Sequence, residues 1–443
     1  MFNSDKNLWI HQAQVLGEDG ILRPYNIGIG AGKITAITPN DDRDQYEYIL
    51  DANGWVLLPG IIDPQVHFRE PGLEHKEDLS TASCACARGG VTSFLEMPNT
   101  RPLTTNQATL DDKLHRAAEK SLVNYGFFIG ATRHNLAEIN QVQPTCGIKI
   151  FMGSMHGDLL MDNAEHLERI FAEGTRLIAV HAENQQRISQ RRTQFAEQYH
   201  VPDIHSEIQD DIAALQATEL AVNLSIKYQR RLHILHLSTA LEVEFLRRHK
   251  QPWITAEVTP QHLLLDRSAY HTLGTLAQMN PPLRTAHDNQ ALWQGLQDGI
   301  IDFMATDHAP HTLGEKARPY PESPSGMPGV ETLLPLMLTQ AKQGKCTLNQ
   351  VIHWLSTKVA EAYKIPNKGR IKLGYDADLV LVDWEHYQPV QREHLQTKCG
   401  WSPFEGWQLT GWPQVTIVDG KIVYYQGKFN DSMRGTALQF LSD

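Results

Sequence analysis

Five residues able to hold a metal ion or move a proton stand where short apolar runs end: His67, Lys149, His181, His236 and Asp307. The clearest exit is Ile61-Ile62-Asp63-Pro64-Gln65-Val66-His67-Phe68-Arg69-Glu70-Pro71-Gly72, where an apolar run breaks into polar groups and closes on Pro-Gly. Imidazoles with a carboxylate and a bridging group let a hydrolytic centre hold a zinc-type cation and keep a position for water. Gly147-Ile148-Lys149-Ile150-Phe151 puts an amine inside an apolar strand. Desolvation there lowers its pKa, and a neutral amine is nucleophilic. Each residue also has an ordinary reading. A lone histidine on an apolar strand is usually a satisfied core residue, a lysine at a strand end can snorkel to water, and Asp307 could cap a helix or form a turn. Convergence of five such groups at strand ends favours chemistry, and Asp307, flanked by His308 and His311, suits a general base better than a cap.

The elements that must position them alternate brief apolar strands with longer helical stretches, the mark of βαβ units. Candidate strands are Ile61–Val66, Val91–Glu96, Val123–Ile129, Ile148–Phe151, Leu177–Val180, Leu232–Leu237, Trp253–Val258 and Asp302–Ala305. Eight parallel strands suit a closed (β/α)8 TIM barrel. At roughly 30 residues per strand–helix–strand step, the five residues fall on strands one, four, five, six and eight, at the carboxyl face where a barrel builds its site. Before Pro59 and in the last eighty or so residues the pattern becomes short alternating strands, with Asp419-Gly420 as a hairpin turn. The expected organisation is an α/β barrel over 59–364 and a small β-sandwich domain from both termini, 1–58 and 365–443. Two interruptions stand out. Ala182 to Arg230 is too long for one crossover and predicts an added helix or lid, and the Pro- and Gly-rich stretch Pro310 to Val330 predicts an active-site loop.

The 443 residues are 41% hydrophobic and 21% charged with net charge -11, which argues against a sequence-independent grip on nucleic acid or an anionic membrane. Met1 to Ile10 lacks the apolar core of a signal peptide and no window approaches a membrane span, so a cytoplasmic protein is expected. Five scattered cysteines without zinc or redox spacing read as reduced thiols.

In this order the motifs resemble the cyclic amidohydrolases of the amidohydrolase superfamily, and among them the dihydroorotase family. Asp63 to Gly72 looks like its D-x-H-x-H-x-R-E-P-G signature. Met97-Pro98-Asn99-Thr100, His181-Ala182-Glu183, His236-Leu237-Ser238-Thr239, Met279-Asn280-Pro281-Pro282-Leu283-Arg284 and Ala305-Thr306-Asp307-His308-Ala309-Pro310-His311 follow in register. Pro324-Ser325-Gly326, Ala377-Asp378-Leu379-Val380 and Ser402-Pro403-Phe404-Glu405-Gly406 complete the likeness, which runs nearly end to end. The resemblance implies a barrel with one or two Zn2+ ions. His67 and Asp307 would serve the first, His181 and His236 the second, and Lys149, carbamylated by carbon dioxide, would bridge. It implies reversible hydrolysis of (S)-dihydroorotate to N-carbamoyl-L-aspartate in pyrimidine biosynthesis, with Asp307 carrying the proton. Arg69, Asn99 and His311 would hold the substrate carboxylate, and Asn280 with Ser325 and Gly326 would bond the ring amides.

The departure is Gln65, a neutral amide where the signature has its first histidine, which predicts a weakened first metal site. Gln261 also stands where a histidine is expected. Two other readings stay open: a hydantoinase- or allantoinase-like enzyme acting on another cyclic ureide, or a catalytically impaired structural partner of aspartate carbamoyltransferase. A homo-oligomer is expected in each case.

Overall fold

The computed structural model describes residues 7–155, 157–198 and 201–441, so the expectation for Met1 to Lys6 lies outside the described residues. The two termini build one nine-stranded sheet. Its seam is Val56–Pro59, which runs parallel to Leu8–Leu16 on one side and antiparallel to Leu379–Pro389 on the other, with Leu57 opposite Leu381. Leu379–Pro389, Gln408–Val418 and Lys421–Tyr425 follow as antiparallel neighbours. The last two join at Asp419-Gly420, whose φ angles of 48° and 78° match the right-handed twist of a hairpin. Ile10, Ile27, Ile29, Leu57, Leu381 and Ile417 are among the side chains that fill a core separate from that of the barrel.

All eight barrel strands form. Ile61–Val66, Val91–Glu96 and Ile148–Phe151 have the expected bounds, and Ile178–His181, Leu232–Ile234, Ile254–Val258 and Phe303–Met304 begin or stop a residue or more away. The stretch expected as one strand over Val123–Ile129 divides at Phe128 into Asn124–Phe127 and Ile129–Gly130. The first three strands and the remaining run form two parallel sheets. Both faces of nearly every strand are buried, as parallel sheets clad in helices require. The cladding helices are well capped: Asp210 caps Asp211–Tyr228, and Thr239 with Glu242 forms a capping box for Ala240–His249.

The circuit meets itself between strands eight and one. Val66 bridges His308, and the His67 N–H donates to the His308 carbonyl at 2.8 Å. Beneath that bridge Asp63, fully buried, accepts from the Thr306 N–H at 3.1 Å and the Thr306 hydroxyl at 2.5 Å. The interruption after Ala182 holds helices Gln185–Gln194 and Ile204–Ile208 ahead of the crossover helix Asp211–Tyr228. Part of the carboxyl-terminal stretch leaves the small domain for the barrel. Gln396 and Thr397 N–H groups donate to Glu331, the Trp401 indole donates to the His311 carbonyl at 2.8 Å, and Leu438 pairs with Tyr125. These polar anchors are scattered and leave no periodic trace in the sequence. All five cysteines are free.

Asp63→Ala strands two buried Thr306 donors. We expect a loss of about 2–3 kcal/mol in stability, read as an earlier urea midpoint, and a smaller loss for Thr306→Val. An unchanged midpoint in both would mean that the closure does not depend on this pair.

Candidate active site

Four of the five chemistry-bearing residues stand at or just past the carboxyl end of their strands, and the fifth, Lys149, lies earlier in its own. His67 follows strand one, Lys149 lies within strand four, His181 ends strand five, His236 follows strand six and Asp307 follows strand eight. They line one cavity of about 170 Å³ with Gln65, Arg69, Asn99, Asn280, His311, Ser325 and Gly326. Every site residue expected from the sequence is therefore at its wall. Phe151, Ser154, Met155 and Ala309 line it as well; Phe151 and Ala309 fall inside stretches that the sequence marks, but none of the four stands out there as a site residue. Arg69, His236 and Asp307 hold φ angles of 68°, 36° and 47°, a left-handed backbone that non-glycine residues adopt at a cost and that clusters at functional sites.

The hydrogen bonds fix which atoms face the cavity. His67 Nδ1 donates to Asn99 Oδ1 at 2.7 Å, so its Nε2 turns a lone pair toward Asp307 Oδ1, 3.1 Å away. Burial pushes the His67 pKa down, so the imidazole is neutral and two electron-pair donors confront each other. On the far strands His181 Nε2 donates to Glu183 Oε2 at 2.7 Å, leaving Nδ1 at 2.9 Å from His236 Nε2. Imidazoles tied through one nitrogen to an acceptor present the other as a ligand. Among the described residues no three His, Cys, Asp or Glu side chains converge on one point. The donors come as two pairs, and a third must be Lys149 or Gln65.

Lys149 is 1% exposed and its Nζ has no hydrogen-bond partner, only the Phe151 ring at 4.5 Å. Snorkelling is thereby ruled out. Burial lowers its pKa to about 7, against the pull of Asp307 and Glu257, so a large share of the amine is neutral near neutral pH. Gln65 Nε2 donates to Asp307 Oδ1 at 3.0 Å, while Gln65 Oε1 is buried without a partner. His236 Nδ1 is likewise buried and unpartnered.

One side of the cavity is cationic. Arg69, anchored by Nε to the Pro310 carbonyl at 3.1 Å, lies 3.2 Å from His311, and Lys76 donates to His311 Nδ1 at 3.0 Å. His311 Nε2 donates to the Ser325 carbonyl at 3.0 Å, so both imidazole nitrogens are engaged in loop structure. Burial and the Arg69 charge hold its pKa well below the usual value. Desolvation lowers Arg69 to about 10, which leaves it charged at neutral pH. His308 does not line the cavity: its Nδ1 accepts from the Gly329 and Val330 N–H groups. Gln261 sits behind the wall, donating to the Thr306 carbonyl at 3.1 Å.

Sequence reasoning missed Lys316. It reads as a surface residue of the short helix Leu313–Lys316, yet it is fully buried and its ammonium donates to the Gln278 and Pro324 carbonyls, both at 2.9 Å. It thus joins the segments that carry Asn280 and Ser325. Lys316→Met should speed proteolytic cleavage within Pro310 to Val330 several-fold, and an unchanged cleavage rate would show that other contacts hold the loop.

Residues 56–423 match the amidohydrolase family. A dihydroorotase of Methanosarcina acetivorans is 37% identical over 424 residues, covering 92% of this chain and 90% of the relative. One of Bacillus cytotoxicus is 34% identical over 429 residues, covering 94% and 98%. Among solved structures, L-hydantoinase from Arthrobacter aurescens superposes with a TM-score of 0.91 at 27% identity, covering 97% of this chain and 98% of that one. Dihydropyrimidinase from Brevibacillus agri gives 0.89 at 26%, covering 99% and 100%.

Proposed function

This chain belongs to the amidohydrolase family, and within it to the dihydroorotases, and on that footing we propose that the cavity reversibly hydrolyses (S)-dihydroorotate to N-carbamoyl-L-aspartate in pyrimidine biosynthesis. The observation that carries the reading is the meeting, in one cavity, of two ligand pairs, an unpartnered amine and a guanidinium. The pairs support ring opening. The guanidinium supports a substrate that bears a carboxylate.

The family is metal-dependent, and the residues fit a cation. His67 Nε2 and Asp307 Oδ1 aim electron pairs at a shared space, and His181 Nδ1 and His236 Nε2 stand 2.9 Å apart as a second pair of nitrogen donors. Imidazole and carboxylate donors suit Zn2+. Lys149 would close both pairs after its neutral amine adds to carbon dioxide, forming a carbamate with two oxygens and releasing a proton. When bound, the metal lowers the pKa of water and polarises a carbonyl.

The chain's own groups do the rest. Asp307 takes a proton from the attacking water and returns it to the ring nitrogen as the C–N bond breaks and a C–O bond forms. The Gln65 N–H holds that carboxylate in place. Arg69, charged and buried, binds the substrate carboxylate with a planar donor pair. The solved hydantoinase and dihydropyrimidinase favour a second reading, a cyclic ureide without that carboxylate.

A substrate panel separates the two. Dihydroorotate should exceed 5,6-dihydrouracil and hydantoin by about 100-fold in kcat/KM, and Arg69→Leu should erase the preference. Equal or better turnover of dihydrouracil would transfer the site to the second reading. Gln65→His supplies the missing imidazole and should let the protein retain more metal through dialysis against a mild chelator. Unchanged retention would mean that this position never limited binding.

A further inference from the structure

His205 has no part in the chemistry proposed for the cavity. It lies on the short helix Ile204–Ile208 of the insertion after strand five, and it is 4% exposed. Its Nε2 sits 3.0 Å from the Met279 main-chain carbonyl and 2.9 Å from Asn280 Oδ1. A carbonyl oxygen only accepts, so Nε2 carries the ring proton. Asn280 must then turn its oxygen, not its NH2 group, toward His205. Gln209, its amide nitrogen turned toward Glu183, donates to the same Asn280 oxygen at 3.1 Å. Two donors on that one oxygen fix the amide plane and leave the Asn280 NH2 group for the cavity that Asn280 lines. On the other side of Nε2, Ser325 Oγ stands at 3.5 Å. Burial lowers the His205 pKa to about 4, which keeps the ring neutral at working pH.

We propose that His205 is a positioning residue that sets the polarity of Asn280, so that the cavity meets the substrate ring there with an N–H donor and selects a carbonyl oxygen at that position. The proposal rests on the reading of the cavity as a cyclic ureide site and adds which edge of the ring is recognised. The ring of dihydroorotate carries such a carbonyl between its two nitrogens. An Asn280 free to rotate would present its oxygen to that carbonyl part of the time and repel it. Recognition by the cavity thereby depends on an insertion outside the barrel.

The test uses the full-length, metal-loaded protein and steady-state ring opening of dihydroorotate. His205→Leu should raise KM about tenfold while kcat stays within about twofold, as expected for one lost neutral hydrogen bond in binding. His205→Gln keeps an N–H donor and should recover most of the affinity. In an Asn280→Ala background, His205→Leu should add no further increase. The inference is overturned if His205→Leu leaves KM unchanged while Asn280→Ala raises it, or if the two increases multiply. It is also overturned if His205→Leu lowers kcat and the unfolding temperature with no change in KM, which would mark a purely structural role. Absence of turnover by the wild-type protein on the substrate panel would instead sink the underlying reading.

Discussion

The cavity depends on one buried carboxylate that makes no contact with it. Asp63 clasps Thr306 across the seam where the last strand meets the first, joining residues 243 apart in sequence. Gln65 and His67 follow on one side of the clasp, and Asp307 follows directly on the other. The 3.0 and 3.1 Å contacts that Gln65 and His67 make to Asp307 exist because the two strand ends are held in this register. Desolvation pushes the Asp63 pKa up to about 7, against the Thr306 and Gln65 bonds that favour the charged form. Folding thus holds a strained electrostatic arrangement at the base of the site.

The same tension recurs at the cavity wall. The His67 imidazole faces the Asp307 carboxylate at 3.1 Å, the His181 and His236 rings meet at 2.9 Å, and Lys149 Nζ has no partner. Buried polar groups left unsatisfied cost free energy, and natural proteins keep few of them. Here Lys149 Nζ, His236 Nδ1 and Gln65 Oε1 gather at one place, with left-handed backbone at Arg69, His236 and Asp307. The barrel, packed on both faces of its strands, supports that local cost. Gln65 alters the balance without removing it, because its amide stabilises the Asp307 carboxylate by donation where an imidazole would have offered a lone pair.

Strands were legible because both of their faces are buried, so each reads as an apolar run and the ionisable residue ending it stands out. That contrast identified His67, Lys149, His181, His236 and Asp307 and ordered them around the barrel. It failed where position depends on partners distant in sequence. Asn99 and His311 line the cavity as expected, but that the Asn99 oxygen also holds His67 and that the His311 nitrogens also bond Lys76 and the Ser325 carbonyl could not be read from the sequence. Lys316 and His205 lie on short helices with no periodicity to mark a buried face, and their acceptors are main-chain carbonyls or one side-chain oxygen. The docking of Trp401 on the barrel is equally silent, since an indole N–H bonded to a carbonyl leaves no pattern.

The central claim is that this set of residues, with Gln65 in place of a histidine, still opens and closes the ring. The most direct measurement is ring closure of N-carbamoyl-L-aspartate by wild type and Asp307→Ala, each with its metal content quantified and matched. The account predicts turnover by the wild type and a loss of at least about 100-fold in the variant, the scale of a missing general acid-base. Equal rates for the two proteins at every metal loading would contradict it, and the chain would then be a scaffold that keeps the architecture of the site without its chemistry.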